Sequence, residues 1–498
     1  MSLAPYSARS RRWCFADQLG PHFLDHEDQS VLLVESTRVF ARRRFHRQKA
    51  HLVLSALRHR AAELGERARF VQASTYREAV DAIDEPLSVC GPTSRGAERL
   101  VHALDVEVLP ARGFVTSRED FAAWAAGRRG RLLMEDFYRE TRRRLGVLMD
   151  GNEPAGGRWN YDADNREPPP KRSEPLGVSE PWWPAEDDID AEVRADLDRM
   201  ERDGHASFVG RDGPRRFAAT RAEALTALDA FIEGRLAGFG PHEDAMLAGD
   251  WTMAHSMLSA PMNLGLLHPL ECVERAEHAY LSGAAPLNSV EGYVRQLIGW
   301  RDYVWHIYWH TGPEYRESNA LNANEPLPRW FADLDADAVE ARCLHTTLAQ
   351  LRDTGWVHHI PRLMILGSWA LQRGINPSAL TDWFHDSFVD GYEWVMAPNV
   401  VGMSQHADGG LMATKPYTSG GAYINTMSDF CGECRYKPTV RVGDDACPYS
   451  AGYWAFLDRN RSRLSNNPRM RQPLTGLDRL RDLDGVREQE HQRGTTPP

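Results

Sequence analysis

Cys431-Gly-Glu-Cys434 sets two thiols three positions apart, and Cys447, with Pro448 directly behind it, follows 13 positions later. Three sulfurs this close in sequence can share a metal, and a closed site needs a fourth ligand, for which Cys343 in the same half of the chain is the candidate. Four thiolates suit zinc or a cubane iron–sulfur cluster. The spacing does not separate the two, and buried free thiols are the third possibility. Cys14, Cys90 and Cys272 lie in apolar contexts and read as packing. A second group is Gly355-Trp-Val-His358-His359-Ile-Pro-Arg362, which places adjacent imidazoles at a helix start, where one can face a ligand. Capping or core packing is the competing explanation. His255-Ser-Met-Leu-Ser259 offers hydroxyls at a helix entry, suited to phosphate oxygens. Gln405, Tyr417 and Tyr423 lie around Gly409-Gly410 and Gly420-Gly421, where backbone can approach a ligand and rings can stack on it; loop packing competes here too.

Short apolar runs must position these residues. Trp13 to Phe15, Val31 to Val34, Arg69 to Gln72, Leu87 to Cys90 and Val106 to Leu109 alternate with helical patterns at Phe45 to Leu64, Tyr76 to Ile83 and Ala97 to Leu104. This rhythm predicts a parallel, Rossmann-like sheet covered by helices, with ligands at the carboxyl ends of its strands. Asp17-Gln18 and Glu35-Ser36 follow the first two strands, where they can bond a ring edge or serve as caps and turns. No GxGxxG follows the first strand, which argues against an ordinary dinucleotide site. From about residue 145 to 214 the pattern dissolves into Gly-Gly, Pro-rich and Pro-Trp-Trp-Pro stretches, predicting an ordered linker draped over a domain. After Arg216 the spacing is helical, including His358 to Gly374. The expected division is an α/β domain over 1–140, a linker over 141–220 and an all-α domain over 221–498.

A chain of 498 residues with 42% apolar content and 15 Trp can bury two substantial cores, which excludes disorder. Its formal net charge of -11 argues against indiscriminate coating of nucleic acid but not against a local basic face. The first residues, MSLAPYSARSRRW, have no apolar signal core, and no run is long enough to span a bilayer. A cytoplasmic monomer without membrane contact is expected, and in a reducing compartment the odd set of seven cysteines favours metal over disulfides.

Several segments, in order along nearly the whole chain, resemble the cryptochrome/photolyase family and its bacterial iron–sulfur branch, which includes prokaryotic (6-4) photolyases. They are Phe15-Ala-Asp17-Gln18-Leu19, Met134-Glu-Asp-Phe-Tyr138, Gly156-Gly-Arg-Trp-Asn-Tyr161, Gly292-Tyr-Val-Arg-Gln296-Leu-Ile-Gly-Trp-Arg301, His358-His359-Ile-Pro-Arg362 and Tyr392-Glu-Trp394 through Gly402-Met-Ser-Gln405. The resemblance implies an antenna domain followed by an all-α domain that binds FAD beneath a lesion pocket. It implies light-driven repair of (6-4) photoproducts in UV-damaged DNA, with the lesion flipped out of the duplex.

Carried over by motif, Cys343, Cys431, Cys434 and Cys447 hold a 4Fe-4S cluster. His255, Ser256, Ser259 and Asn263 contact FAD, Arg362 and Asp390 pair beside its ring, and Trp383 is the flavin-proximal electron donor. His359 protonates the photoproduct with His358 alongside, while Tyr417, Tyr423, Asp244 and Gln296 line the pocket. Asp17 and Glu35 bind the antenna, in this branch usually 6,7-dimethyl-8-ribityllumazine. Arg295, Arg301, Lys415 and Arg435 are expected phosphate contacts as a group. Two positions depart from the family: Met396 stands where a carboxylate often lies near flavin N5, and Asp335 falls where the second electron-transfer tryptophan is usual. A flavin photoreceptor and a non-photochemical iron–sulfur nucleic-acid protein are the alternative readings.

Overall fold

A computed structural model of the chain describes residues 10–128, 131–170 and 176–498. The nine N-terminal residues and Lys171, at the end of the Pro-rich stretch, lie outside them. Strands β1 (Arg11–Cys14) and β2 (Val31–Ser36) are buried at almost every position, as strands covered on both faces must be, although β1 opens with two arginines. With β3 (Ala68–Ala73), β4 (Leu87–Cys90) and β5 (Glu107–Leu109) they form a sheet ordered β3-β2-β1-β4-β5. Every pairing is parallel, Trp13 at the centre facing Leu32 on one side and Val89 on the other. The chain runs outward from β1 in both directions, so the switch point lies between the carboxyl ends of β1 and β4.

The helix Arg47–Leu64 follows β2 and joins the sheet to the rest of the protein. His46 caps it by accepting from the Gln48 amide, while the His46 amide donates to Asp386 O at 2.8 Å. Lys49 is 7% exposed and donates to the carbonyls of His385 and Gly391, and Arg43 pairs with Asp382 and Asp386. The sheet-bearing part thus grips the segment that carries Asp390.

The stretch read from sequence as linker contains the helix Asp188–Arg202. Asp187 caps it in a reciprocal box with Asp190, and it lies along Arg47–Leu64, where Arg58 donates to Asp196 at 2.6 Å. Its apolar stripe is only Ile189, Val193, Leu197 and Met200, spaced four, four and three within a run of Asp and Arg. That stripe is too thin to outweigh the surrounding Pro-rich sequence, which is why the helix was not foreseen.

Beyond Arg221 the described chain is helical with short connections. Three helices contain a widened π turn. Arg295–Arg301 joins Leu287–Val294 to Asp302–His310, Pro361–Gly367 runs into Ser368–Arg373, and Pro398–Ser404 continues Glu393–Ala397. The helix expected over His358 to Gly374 is therefore bulged before it stops at Gly374, whose φ of 74° closes it. No described helix is long and apolar enough to cross a membrane.

Candidate functional site

Asp390 is the hub of the helical half. Arg362 grips it bidentately at 2.8 and 2.9 Å, Ser259 Oγ donates to it at 2.7 Å and Trp356 Nε1 at 3.0 Å. Its backbone carbonyl accepts from Asn263 Nδ2 at 3.0 Å, and Arg301 donates in turn to Asn263 Oδ1 at 2.5 Å. Burial works against the carboxylate charge, but the guanidinium and the hydroxyl and indole donors outweigh it and hold Asp390 below the usual range. The π turn at Pro361–Gly367 carries Arg362, and the five-residue helix Ser259–Asn263 carries Ser259 at its first position and Asn263 at its last.

Three imidazoles lie beside this hub. His358 is buried and stacks on His255, ring centroids 4.3 Å apart at 25°. His359 is instead solvent-accessible, although the protein around it still limits its hydration. Loss of hydration, then neighbouring positive groups including Arg362, lowers His255 to about 3 and His359 to about 4, with His358 also far below the ordinary value. All three are neutral near pH 7. His255 Nε2, His358 Nδ1 and Trp383 Nε1 are buried with no hydrogen-bond partner in the protein. The two orphaned nitrogens on the stacked rings of His255 and His358 suit a ligand with its own donors and acceptors, as a flavin has.

Gln296, on the π turn Arg295–Arg301, donates to Glu243 Oε1 at 2.7 Å. Glu243 was not singled out from sequence, although it adjoins Asp244. Burial pushes it up to about 8 against the pull of Arg295, and Asp244 and Asp162 push the same way. Burial, with Asp162, also raises Asp244. Tyr417 and Tyr423 are half-buried and feel the Asp244 charge, which gathers these four pocket candidates in one region.

Cys343, Cys431, Cys434 and Cys447 line one recess with apolar walls from Ala341, Ile424, Phe430 and Tyr449. Burial and the neighbouring sulfurs raise Cys343 strongly and Cys431 to about 12, so a metal entering here must displace protons. Among the described residues no three of these sulfurs lie within 4.8 Å of one another. Gly421 backs the recess, since a Cβ there would sit 2.9 Å from Cys447 Sγ.

At the sheet, Asp17 lies at the switch point and accepts from Thr93 at 2.5 Å, with its carboxyl raised by burial. Glu35 is 1% exposed, and both of its oxygens accept from Arg58 at 2.9 Å, one of them also from Gln72. Its charge is committed within the protein. Trp383 meets only phenyl rings at close range, Phe331 at 4.6 Å, Phe384 at 5.0 Å and Phe388 at 6.0 Å. Beyond Phe331 stands Trp369, 5.1 Å from it, and then Trp330, 5.0 Å from Trp369.

The first part of the chain, residues 12–206, matches the family model described as Deoxyribodipyrimidine photo-lyase-related protein. A protein of Agrobacterium fabrum named "(6-4) photolyase" is 40% identical over 490 residues, 93% of this chain and 94% of that one. The chain belongs to the cryptochrome/photolyase family. An uncharacterized protein of Acanthamoeba polyphaga mimivirus shares 44% identity over 55 residues, 11% of this chain and 45% of its own. A crystal structure of a bacterial class III photolyase from Agrobacterium tumefaciens covers 98% of both chains with a TM-score of 0.56 at 15% identity, a likeness of fold.

In this photolyase-family fold two expected phosphate contacts are corrected. Arg301 is half-buried and donates to Asn263 Oδ1 and the Met262 carbonyl, and Arg295 is 5% exposed and paired with Asp162 and Glu291. Both charges serve internal carbonyls and carboxylates, so neither reaches a DNA backbone. Lys415 and Arg435 are exposed, Arg435 paired with Glu340. Met396 is 3% exposed and lines, with Arg43, Phe45 and His385, a second cavity between the sheet-bearing part and the helices.

Proposed function

We propose that this protein repairs (6-4) pyrimidine–pyrimidone photoproducts in DNA under blue light, with FAD as its catalytic cofactor. The observation that carries the reading is the end-to-end identity of 40% with a protein of that name, to which the orphaned nitrogens around Asp390 add a fitting ligand site. FAD, when bound, supplies the light-excited one-electron donor. Arg362 and Asp390 fix a polar edge beside it, and Ser256, Ser259, Asn263 and His255 are the further contacts. Trp383, buried without a partner for its indole nitrogen, keeps its side dry.

His359 faces solvent and is the proton carrier, with His358 holding its backbone by packing on His255. A neutral imidazole near Arg362 is poorly protonated alone, and an anion placed beside it raises its affinity for a proton. Tyr417, Tyr423, Gln296 and Asp244 line the space for an extruded lesion, whose weak pairing lowers the cost of flipping.

The four-cysteine recess is read as the seat of a 4Fe-4S cluster. Zinc draws four sulfurs to about 3.8 Å from one another, given Zn–S bonds near 2.3 Å in a tetrahedron. It is the resemblance to the family's iron–sulfur branch, carried by Cys343, Cys431, Cys434 and Cys447, that favours a cubane over zinc. For 6,7-dimethyl-8-ribityllumazine, Asp17 at the switch point is the better-supported contact, because Glu35 is spent on Arg58.

The test is repair of a synthetic duplex with one (6-4) lesion by the reduced protein in blue light. The intact protein should restore the bases, and His359→Ala should lose repair while retaining flavin absorbance. Failure of the intact, reduced, flavin-loaded protein would sink the reading. Iron and acid-labile sulfide, both lost in Cys343→Ser, test the cluster separately.

A further inference from the structure

His51, Ser55 and His59 follow one another at four-residue spacing, so they share the face of the helix Arg47–Leu64 that meets the start of the helix Asp188–Arg202. His51 Nε2 donates to the Asp190 carbonyl at 3.0 Å. The other two are buried without a hydrogen-bond partner in the protein, Ser55 through Oγ at 0% exposure and His59 through Nε2 at 7%. His59 Nε2 faces Asp187 Oδ1 at 3.6 Å and Asp190 Oδ2 at 3.7 Å, beyond hydrogen-bond reach of both. Among the described residues these three alone bring His, Cys, Asp or Glu ligand atoms within 4.8 Å of one another.

We propose that His59, Asp187 and Asp190 form a zinc site that ties these two helices together, with water as the fourth ligand. One imidazole nitrogen and two carboxylate oxygens are donors that zinc takes, whereas magnesium and calcium prefer oxygen alone. A zinc tetrahedron sets such ligands about 3.3–3.6 Å apart, close to both gaps, whereas a charged hydrogen bond would close them to about 2.7–2.9 Å. A proton on His59 is the rival way to balance the carboxylates, but its N–H would stop short of either oxygen. The charges also fit a dication. Arg215 grips Asp190 at 2.9 and 3.1 Å, yet Glu223 meets the same guanidinium at 2.7 and 2.9 Å, so the two aspartates keep charge to spare. The Asp187 side chain is 56% exposed, which gives the metal an entry and its water a place. Ser55, beside Asp190 on the buried side, has a hydroxyl free to orient that carboxylate. Zinc here cross-links the sheet-bearing helix to Asp188–Arg202, whose thin apolar stripe supplies little docking of its own.

The test dialyses the full-length protein against zinc chloride, with iron content matched between samples so that the cysteine recess is equally filled, and counts bound metal by plasma mass spectrometry. Wild type should hold one zinc, and His59→Gln and Asp187→Asn should each weaken its binding by at least about tenfold, since even changes behind the direct ligands cost that much. Asparagine still caps a helix, so Asp187→Asn should keep the metal-free melting temperature and lose only the rise that zinc gives the wild type. Zinc should also slow amide exchange across Asp188–Arg202 in the wild type and not in the variants. X-ray absorption at the zinc edge reads the wild-type site without any substitution. Nitrogen and oxygen neighbours with imidazole scattering support the site, whereas sulfur neighbours would put the metal at the cysteines and overturn it. A wild type that retains no zinc, or variants that bind it as tightly, would overturn it as well.

Discussion

Asp390 accepts four hydrogen bonds through two oxygens, three of them charged or strongly polarised by Arg362 and Ser259. Asp390→Asn keeps the shape but removes the charge that Arg362 faces, and breaking one partner of a buried pair costs about 3–5 kcal/mol. The expected outcome is a lower melting temperature together with loss of flavin on gel filtration; a variant that melts like the wild type and keeps its colour would show that the pair matters to neither. Glu243 supplies a pH-dependent counterpart. Its folded pKa is raised to about 8 from 4.5, so the stability it contributes is complete below 4.5 and is lost as pH rises through about 8. Ionisation there also adds a charge next to Asp244 in the pocket, so lesion-DNA affinity should fall as pH passes 8. Glu243→Gln should flatten that fall, and identical pH profiles from binding titrations would refute the assignment. Asp244 was legible through the family resemblance, but Glu243 was not, because its perturbation comes from burial and from Arg295, Asp162 and Asp244, only the last of them adjacent in sequence.

Among the elements, the π turns at Pro361–Gly367 and Pro398–Ser404 meet where Gly367 has no side chain. A Cβ on Gly367 would lie 2.1 Å from Ser404 Oγ and 3.0 Å from Arg362 O. Its φ of -65° and ψ of -41° are ordinary helical values, so helix propensity alone would favour alanine by about 1 kcal/mol. Overpacking costs about 1–3 kcal/mol and acts on the turn that aims Arg362, so Gly367→Ala should be destabilised in urea titrations and hold flavin less tightly. Equal or greater stability would mean Ser404 moves aside freely. The strands were legible through short apolar cores such as Val31 to Val34 between turn residues, and the long helix Arg47–Leu64 because its pattern persists. The π turns were not, since one extra residue per turn leaves the 3.6-residue spacing almost unchanged over the window that reveals a helix. The helix Asp188–Arg202 was hidden by its acidic and basic majority, and its existence depends on docking against Arg58 rather than on its own apolar content.

For the whole molecule, the joint between sheet and helices is made of buried ionisable groups, and these set its response to acid. His46 caps the joining helix, His385 abuts Lys49 and Asp386, His22 packs on Phe23 and His268, and His255 and His358 stack beside Asp390. Loss of hydration lowers His46 and His385 to about 4 and His22 and His255 to about 3, with His358 also well below the ordinary value. An imidazole whose folded pKa is depressed favours the folded state fully above its unfolded value of 6.5. As pH falls from 6.5 towards the folded values, the unfolded chain takes up protons that the folded chain refuses, and stability drops by about 1.4 kcal/mol per pH unit for each such proton. Glu243 opposes this with one proton held by the folded state across that range, and the raised carboxyls of Asp17, Asp244 and Glu291 act in the same sense, but they are outnumbered by the depressed imidazoles. Depressed carboxylates such as Asp190, which His59 and Arg215 hold well below the usual range against the effect of burial, join only below 3.8. Denaturant titrations at a series of pH values should therefore show stability falling from pH 6.5 downward, well before the carboxylates titrate. His385→Asn should make that fall shallower by one proton. A flat profile between 6.5 and 4 would mean that the joint opens to water and that its histidines protonate without unfolding it.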